Sequence, residues 1–185
     1  EAEISAGILG VSVRENLAMS DGFFTENYGN LNKVVEAIRR YRPDVVITNS
    51  VSDRHPDHGR AGDMVSRACF LSGLIKVETQ DNGKWQEAWR PKQVYRFIQD
   101  RYLKPDFVVD ITEEWEVKMK SILAFSSQFY RGEEDDMPKT PISSEEFLHF
   151  IESRAREFGR NINVKYAEGF NVERPLGVES LFDLK

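Results

Sequence analysis

One apolar run and the polar loop after it constrain the fold of this 185-residue chain more than any other feature. Residues 44–49 include the run Val45-Val46-Ile47, which lacks polar alternation and so favours a strand covered on both faces, as in a parallel sheet. Beyond the loop, apolar residues at helical spacing continue to a stop near Gly73. Because strand and helix patterns alternate in this way along the chain, the sequence predicts an α/β fold.

The other patterns place further helices and strands around this unit. We predict helices over residues 1–9, from a cap at Asn30 to Pro43, after a cap at Thr112, and after a capping box of Ser143 with Glu146. We predict strands over residues 16–19, 94–98, 107–111 and near 170–172, with a charged surface loop at 131–142. The expected architecture is a Rossmann-like three-layer sandwich with a mostly parallel sheet, in a single domain over residues 1–185.

Composition excludes several classes of partner. The net charge is −6, the isoelectric point is near 5.2, and no long Lys/Arg run is present, which argues against a nucleic-acid partner. No apolar stretch approaches the roughly 20 residues that span a bilayer. The single cysteine, Cys69, cannot form an internal disulfide and is expected to be a small core residue. We therefore expect a soluble, cytoplasmic protein whose partners are small molecules or proteins.

The stretch Asp53-Arg54-His55-Pro56-Asp57-His58 directly follows the central strand and carries two of the three histidines. Open α/β sheets bind their ligands at the carboxyl ends of strands. Two histidines three residues apart can place one imidazole on a metal and leave the other to handle protons, while Asp57 orients a ring through its N–H. The alternative left open is a polar loop in which both histidines only cap the helix and form hydrogen bonds.

A zinc site built from this stretch alone would be incomplete. A catalytic zinc usually takes three protein ligands, and the remaining histidine, His149, is expected to be an exposed helix residue without a role. Three further groups, namely Asp21, the Asp53-Arg54 pair and Arg101, lie at expected carboxyl ends of strands and can each hold a polar ligand. The alternative for these three is ordinary surface polarity with ion pairs of little energetic value.

The Asp53–His58 hexapeptide resembles the second signature of the LmbE/PIG-L family of zinc-dependent N-acetylglucosamine-conjugate deacetylases. The similarity extends along nearly the whole chain, and further segments resemble the branch that makes bacillithiol. The matching segments are residues 9–11, 15–17, 21–24, 68–74, 87–91, 99–101, 105–111, 126–129, 155–159 and 166–170.

The resemblance implies roles for the histidine cluster. It makes His58 a zinc ligand and His55 the group that polarises the carbonyl oxygen or protonates the leaving amine, with Asp57 in support. The other ligands and the water-activating carboxylate would come from an Ala-His-Pro-Asp-Asp motif after the family's first strand, and the 185 residues contain no such motif. We therefore expect that the first strands of the sheet are missing here, that one Zn2+ per subunit needs ligands from that segment, and that these 185 residues alone are inactive.

The resemblance also implies a substrate. Asp21 would hold sugar hydroxyls, Arg54 and Arg101 would bind the carboxylates of a malate aglycone, and Glu168 would line the same mouth. The implied reaction removes acetate from N-acetylglucosaminyl malate in bacillithiol biosynthesis, and the implied assembly is a homo-oligomer, often a hexamer. Two alternatives stay open: a deacetylase for a different N-acetylglucosamine conjugate, and a non-catalytic fragment that retains sugar-binding and assembly surfaces.

Overall fold

The computed structural model describes residues 1–129 and 139–184. The predicted loop at 131–142 falls largely outside these ranges. The chain divides into two compact units, a larger one of Leu17–Phe107 with Gly169–Lys185 and a smaller one of Glu1–Asn16 with Val108–Glu168. The expectation of one domain over residues 1–185 stays a prediction.

The elements of the described residues alternate between helix and strand for much of the chain. In chain order they are α1 (Ala2–Leu9), α2 (Tyr28–Tyr41), β1 (Val45–Thr48), α3 (Pro56–Ser72), β2 (Gln80–Asp81), β3 (Lys84–Trp85), β4 (Gln93–Phe97), β5 (Phe107–Asp110), α4 (Trp115–Leu123), α5 (Glu145–Arg160) and β6 (Ala167–Val172), followed by a 3-10 turn at Leu181–Asp183. The predicted α/β class is confirmed. None of the described helices is long and apolar enough to cross a bilayer.

In the larger unit, β1 pairs with β4 in parallel, with Val46 opposite Val94. On its other side β4 pairs with the end of β6, and this pairing is antiparallel, with Phe97 opposite Phe170. The sheet is therefore mixed where we expected it to be mostly parallel. Hydrophobic periodicity reports which face of a strand is buried but carries no information about strand direction.

The core of the larger unit lies between α2 and α3. Four apolar residues of α2 recur at helical spacing and form one buried face. They pack against buried residues of α3, and the cluster consists of Leu31, Val34, Val35, Ile38, Met64, Ala68 and Cys69. The prediction of Cys69 as a core residue is confirmed, and burial, reinforced by the charge of Glu173, raises the pKa of its thiol to about 12.

Three local predictions in this unit are wrong. The predicted strand at 16–19 does not form, because Ala18 has a φ of 51°, a left-handed conformation that a strand does not accommodate. Helix α2 is capped by Asn27, whose side chain accepts the Asn30 N–H at 3.0 Å, so Asn30 is the capped residue and not the cap. Strand β1 is not covered on both faces, since Val45 and Ile47 are 47% and 58% exposed.

The smaller unit contains α1, α4 and α5. Helix α1 ends at Gly10, which adopts the left-handed conformation of a helix C-cap at φ 67°, as predicted. The apolar cluster of this unit comprises Ile111, Ala155 and Tyr166, with Trp115 stacked on the Tyr166 ring at 4.2 Å between centroids.

Both predicted caps in the smaller unit are shifted. The Thr112 hydroxyl accepts the Tyr166 N–H at 3.2 Å, and α4 begins three residues later at Trp115. Ser144 caps α5 by accepting the Phe147 N–H at 3.2 Å, whereas the Ser143 hydroxyl accepts the Thr140 N–H. In both cases the predicted residue makes a hydrogen bond outside the helix, which a sequence pattern does not distinguish from a cap.

Candidate functional site

The two histidines lie at the first turn of α3, in the larger unit. Because β1 and β4 are parallel, the loops that follow them begin at the same edge of the sheet, and the β1 loop leads directly into α3. His55 is the N-cap, and Pro56 occupies the first helical position, which suits a residue without an N–H. The helix thereby places the ring centroids of His55 and His58 5.1 Å apart.

A buried carboxylate, that of Asp53, holds this arrangement together. Its Oδ2 lies 2.6 Å from Nδ1 of His58, and none of its side chain is exposed. Its Oδ1 accepts the backbone N–H groups of Arg54, Asp100 and Arg101 at 2.8, 3.2 and 3.1 Å. Asp53 therefore joins the loop after β1, the loop after β4 and the first turn of α3.

The hydrogen bonds to Asp53 determine which proton His58 carries. Burial is the largest influence on the pKa of Asp53 and raises it, but the hydrogen bonds from His58 and from the N–H groups of Arg101 and Arg54 outweigh burial and bring that pKa below its ordinary value. An ionised carboxylate only accepts hydrogen bonds, so Nδ1 of His58 carries a proton. In the neutral ring, Nε2 of His58 then presents a lone pair.

His55 has the opposite hydrogen-bonding state. Its Nδ1 accepts the backbone N–H of Asp57 at 3.2 Å, as an N-cap acceptor does. The proton of the neutral imidazole is therefore on Nε2, which is a donor. His58 therefore offers a lone pair on Nε2, which can bind an electron-deficient centre such as a metal ion. His55 beside it offers an N–H on Nε2, which can donate to an electron-rich oxygen.

The Asp57 carboxylate does not orient either ring. Its Oδ2 accepts the backbone N–H of Gly22 at 2.6 Å, and its Oδ1 accepts from Nη1 of Arg60 at 2.6 Å. The orienting role that we predicted for Asp57 therefore falls to Asp53, which the sequence showed only as a polar residue at the end of a strand. The available signal was the position of Asp53 just before the N-cap His55, from which its carboxylate can contact His58 in the first turn of α3.

The predicted substrate residues occupy different surroundings. Nε of Arg54 donates to Oδ2 of Asp100 at 2.9 Å, and Nη1 of Arg101 donates to Oγ of Ser52 at 3.3 Å, so both guanidinium groups branch from the loops that Asp53 joins. Asp21 is exposed and lies in a turn instead of at the end of a strand. Its neighbour Gly22 is hydrogen-bonded to Asp57, which brings this turn to the same helix end.

Glu168 belongs to the smaller unit, where it forms an ion pair with Lys118. His149 lies on α5 of the same unit. The predicted role of Glu168 at the mouth of the site stays a prediction.

The described residues supply one good zinc ligand and not a full set. Nε2 of His58 has the lone pair that a metal needs, and the carboxylate on its Nδ1 is the partner that ligating histidines usually have. However, no group of three or more His, Cys, Asp or Glu residues within 1–129 and 139–184 is arranged to hold a metal ion. These residues therefore fit a shared role in a zinc site and do not form a complete one.

Comparison with protein families and curated proteins gives matches that include this site. The family model described as "PIG-L: GlcNAc-PI de-N-acetylase" matches residues 1–69, a segment that contains Asp53, His55 and His58. The chain is 28% identical over 132 residues to a diacetylchitobiose deacetylase of Thermococcus kodakarensis, an alignment covering 70% of this chain and 48% of that protein. The chain thus spans about half the length of this curated relative.

Solved structures share the fold over most of the chain. The conserved protein TT1542 from Thermus thermophilus matches with a TM-score of 0.82 at 26% identity, covering 97% of this chain and 74% of that one. This match confirms the predicted Rossmann-like α/β fold.

Two further structures show likeness of fold alone. The 4-carboxy-2-hydroxymuconate hydratase GalB of Pseudomonas putida has a TM-score of 0.72 at 22% identity, covering 96% and 71% of the two chains. The N,N'-diacetylchitobiose deacetylase of Pyrococcus horikoshii has a TM-score of 0.70 at 23% identity, covering 92% and 60%. Structures of this one fold thus include a hydratase and a deacetylase, so likeness of fold does not give the activity. The family model is thus similar to the part of the chain that carries the histidine cluster.

Proposed function

We propose that the full-length protein containing these residues is a zinc-dependent amide hydrolase that removes acetate from an N-acetylglucosamine conjugate. The observation that carries the proposal is the pair of opposed imidazoles on the first turn of α3. His58 has a buried carboxylate on Nδ1 and a lone pair on Nε2, and His55 has an acceptor on Nδ1 and a donor on Nε2. The match to a de-N-acetylase family over the same residues supports this assignment.

In this proposal His58 would hold the metal through Nε2. A bound zinc ion supplies polarisation of the acetyl carbonyl and a lowered pKa for water. Asp53 keeps the proton on Nδ1 of His58 and fixes the angle of the ring. The remaining ligands and the carboxylate that accepts the proton of water would come from the Ala-His-Pro-Asp-Asp motif of the family, which these 185 residues do not contain.

His55 acts on the oxygen of the substrate. Of its two possible roles, polarising the carbonyl oxygen is favoured over protonating the amine, because Nδ1 accepts the Asp57 N–H and the ring is therefore neutral. A neutral ring donates its Nε2–H to the carbonyl oxygen as that oxygen gains charge, which stabilises the tetrahedral state. Donation of a proton to the leaving nitrogen would require the imidazolium form and the loss of the cap hydrogen bond.

The most specific form of the proposal is a malate aglycone on the glucosamine. Asp21 accepts hydrogen bonds from sugar hydroxyls, while Arg54 and Arg101 bind the two carboxylates. In support, both guanidinium groups branch from loops that Asp53 joins at the carboxyl ends of β1 and β4. A homo-oligomer in the cytoplasm stays the expected setting.

The proposal is tested by measuring the free amine and the bound zinc of the full-length protein. We expect His58→Ala and His55→Ala each to lower the release of amine from N-acetylglucosaminyl malate by at least about a hundredfold. Only His58→Ala should lose zinc, because only His58 is assigned as a ligand. His149→Ala is the matched control and should behave as the unchanged protein in both measurements.

Two outcomes would contradict these roles. Undiminished turnover in His58→Ala would remove the metal role, and equal loss of zinc in both variants would show that the division of labour between the histidines is wrong. Turnover of other N-acetylglucosamine conjugates but not of the malate conjugate would overturn only the assignment of malate as the aglycone.

A second candidate is a non-catalytic sugar-binding and assembly module. It is favoured by one observation, that no three-donor metal cluster is formed within the described part of the chain. The two candidates differ in their products: the module binds the sugar conjugate without releasing amine or retaining zinc. The same assays therefore distinguish them.

A further inference from the structure

A short turn at residues 20–24 is fixed to the helix that carries the histidines. The N–H groups of Phe23 and Phe24 donate to the Ser20 carbonyl at 3.2 and 2.9 Å, which closes the turn. Gly22 has a φ of 73°, a conformation that favours glycine, and its N–H donates to Oδ2 of Asp57 at 2.6 Å. The middle of the turn is therefore bound to the second residue of α3.

The far side of the turn is fixed as well. The Phe24 ring packs against the core between α2 and α3, and the Arg60 guanidinium lies over it at 5.3 Å from the centroid. Arg60 in turn donates to the other carboxylate oxygen of Asp57. Asp57 thus holds the turn at Gly22 directly and at Phe24 through Arg60. Its carboxylate therefore has a structural role that involves neither histidine ring.

Phe23 lies between these two attachments and is 86% exposed. A single exposed aromatic residue on a surface is ordinary, and a mobile loop often carries one. Here Gly22 is held to α3 by its backbone N–H and Phe24 is held by its packed ring, so the turn does not rearrange freely to bury the Phe23 ring. Asp21, which is also exposed, is two residues away, so the Cα atoms of Asp21 and Phe23 lie within about 7 Å of each other.

We propose that the Phe23 ring is the platform on which the sugar of the substrate stacks, beside the Asp21 carboxylate. The proposal rests on the proposed function and names a specificity-determining residue for it. The face of an aromatic ring is electronegative and attracts the C–H groups on the apolar face of a glucosamine ring. A carboxylate beside that face accepts hydrogen bonds from hydroxyls at the edge of the sugar. An aromatic face and a neighbouring acceptor suit the apolar face and the hydroxyl edge of one hexose.

The test separates binding from turnover in the full-length protein. The probe is methyl N-acetyl-β-glucosaminide, whose binding is followed by saturation-transfer NMR and titration, and whose deacetylation is followed by free amine. We expect Phe23→Ala to raise both Kd and KM about fivefold to tenfold while kcat and the melting temperature stay unchanged. Phe23→Trp should restore tight binding, because it restores an aromatic face. Trp85→Ala, which removes an exposed aromatic ring from the β2–β3 hairpin, is the matched control and should change neither constant.

Each outcome has a distinct meaning. If the protein releases amine but Phe23→Ala leaves Kd and KM unchanged, the stacking platform is overturned and the proposed function stands. If the protein binds the probe through Phe23 but releases amine neither from the probe nor from N-acetylglucosaminyl malate, the platform stands and the hydrolase is overturned. If the probe is neither bound nor cleaved, the platform is overturned, and the release of amine from N-acetylglucosaminyl malate decides the proposed function separately. A loss in Phe23→Ala that Phe23→Trp fails to reverse also overturns the platform, since an aromatic face alone would then not explain binding.

Discussion

At the scale of single residues, Asp53 makes contacts that no neighbouring carboxylate reproduces. One oxygen accepts three backbone N–H groups from two loops, and the other faces Nδ1 of His58. These hydrogen bonds hold the pKa of Asp53 below its ordinary value against the opposing effect of burial. A carboxyl group whose pKa is lower in the folded state stabilises the protein above its unfolded pKa, and this stability is lost as the pH falls through the folded pKa.

We therefore expect Asp53→Asn to lower the free energy of unfolding at pH 7 by about 1–3 kcal/mol, because the amide offers one acceptor where the carboxylate offers two. The difference from the unchanged protein should narrow as the pH falls below about 4, where the unfolded carboxyl becomes protonated and the native advantage is lost. Urea unfolding between pH 7 and pH 3 measures both effects.

Asp100→Asn is the control for this prediction. Its carboxylate forms a partly exposed ion pair with Arg54, and its backbone N–H to Asp53 survives the substitution. The change should cost less than about 1 kcal/mol. If Asp53→Asn lowers the free energy of unfolding as much at pH 3 as at pH 7, packing and not the charge of the carboxylate is responsible.

The sequence predicts the position of the histidines better than the role of the carboxylates. The apolar run before Asp53 and the helical pattern after Pro56 are local signals, and they correctly place the histidine stretch between a strand and the start of a helix. The partner of Asp57 is Gly22, 35 residues away, and no local pattern encodes that contact. The assignment of Asp57 to an imidazole failed for this reason.

At the scale of elements, the contact between α3 and the loop after β1 depends on Gly62. A Cβ atom at Gly62 would lie 2.6 Å from the Asn49 carbonyl oxygen and 3.2 Å from the Ser50 carbonyl oxygen. Both obstacles are backbone atoms of the loop that continues to Asp53, so they cannot move aside without displacing the site. Glycine at this position lets the helix approach the loop closely.

We expect Gly62→Ala to destabilise the protein by about 1–3 kcal/mol despite the better helix propensity of alanine. Gly59→Ala, one turn earlier on the same helix, is the matched control, because its Cβ would lie at an ordinary 3.5 Å from the Val51 carbonyl oxygen. That variant should be neutral or more stable by up to about 1 kcal/mol. Thermal unfolding of the two variants compares them directly, and equal effects would contradict the close-approach argument.

The boundaries of elements were predictable only to within a few residues. Asn27 and Asn30 are both good caps by residue type, as are Ser143 and Ser144, and only the backbone conformation selects one of each pair. The failed strand at 16–19 has a different cause, since the left-handed Ala18 is set by its surroundings and not by alanine's own preference.

At the scale of the whole molecule, the sequence was sufficient for the α/β class but not for the direction of every strand. Strands β1 and β4 were recognised from apolar runs, and their parallel pairing matches the prediction. Strand β6 was also located, but its antiparallel pairing with β4 depends on where the chain returns after α5. The exposed faces of Val45 and Ile47 depend likewise on which elements cover β1, which the run itself does not specify.

The expected self-association of the full-length protein can be tested at an exposed apolar pair near the end of the described chain. Leu181 and Phe182 are adjacent and are 82% and 98% exposed. Their short 3-10 turn is held by a capping box between Ser180 and Asp183, which fixes the backbone that carries the two apolar side chains. A fixed pair of this kind contributes more to an exposed apolar patch than scattered single residues do, and such patches mark interaction surfaces.

We expect light scattering after size-exclusion chromatography to give a mass that is a multiple of the chain mass. Leu181→Asp with Phe182→Asp should shift that mass toward the monomer, because burying a charge in an apolar contact is costly. Phe182→Trp keeps the apolar contact and should leave the mass unchanged. A monomer before substitution would contradict the expected homo-oligomer, whereas an unchanged oligomer in the double variant would place its interface elsewhere on the surface.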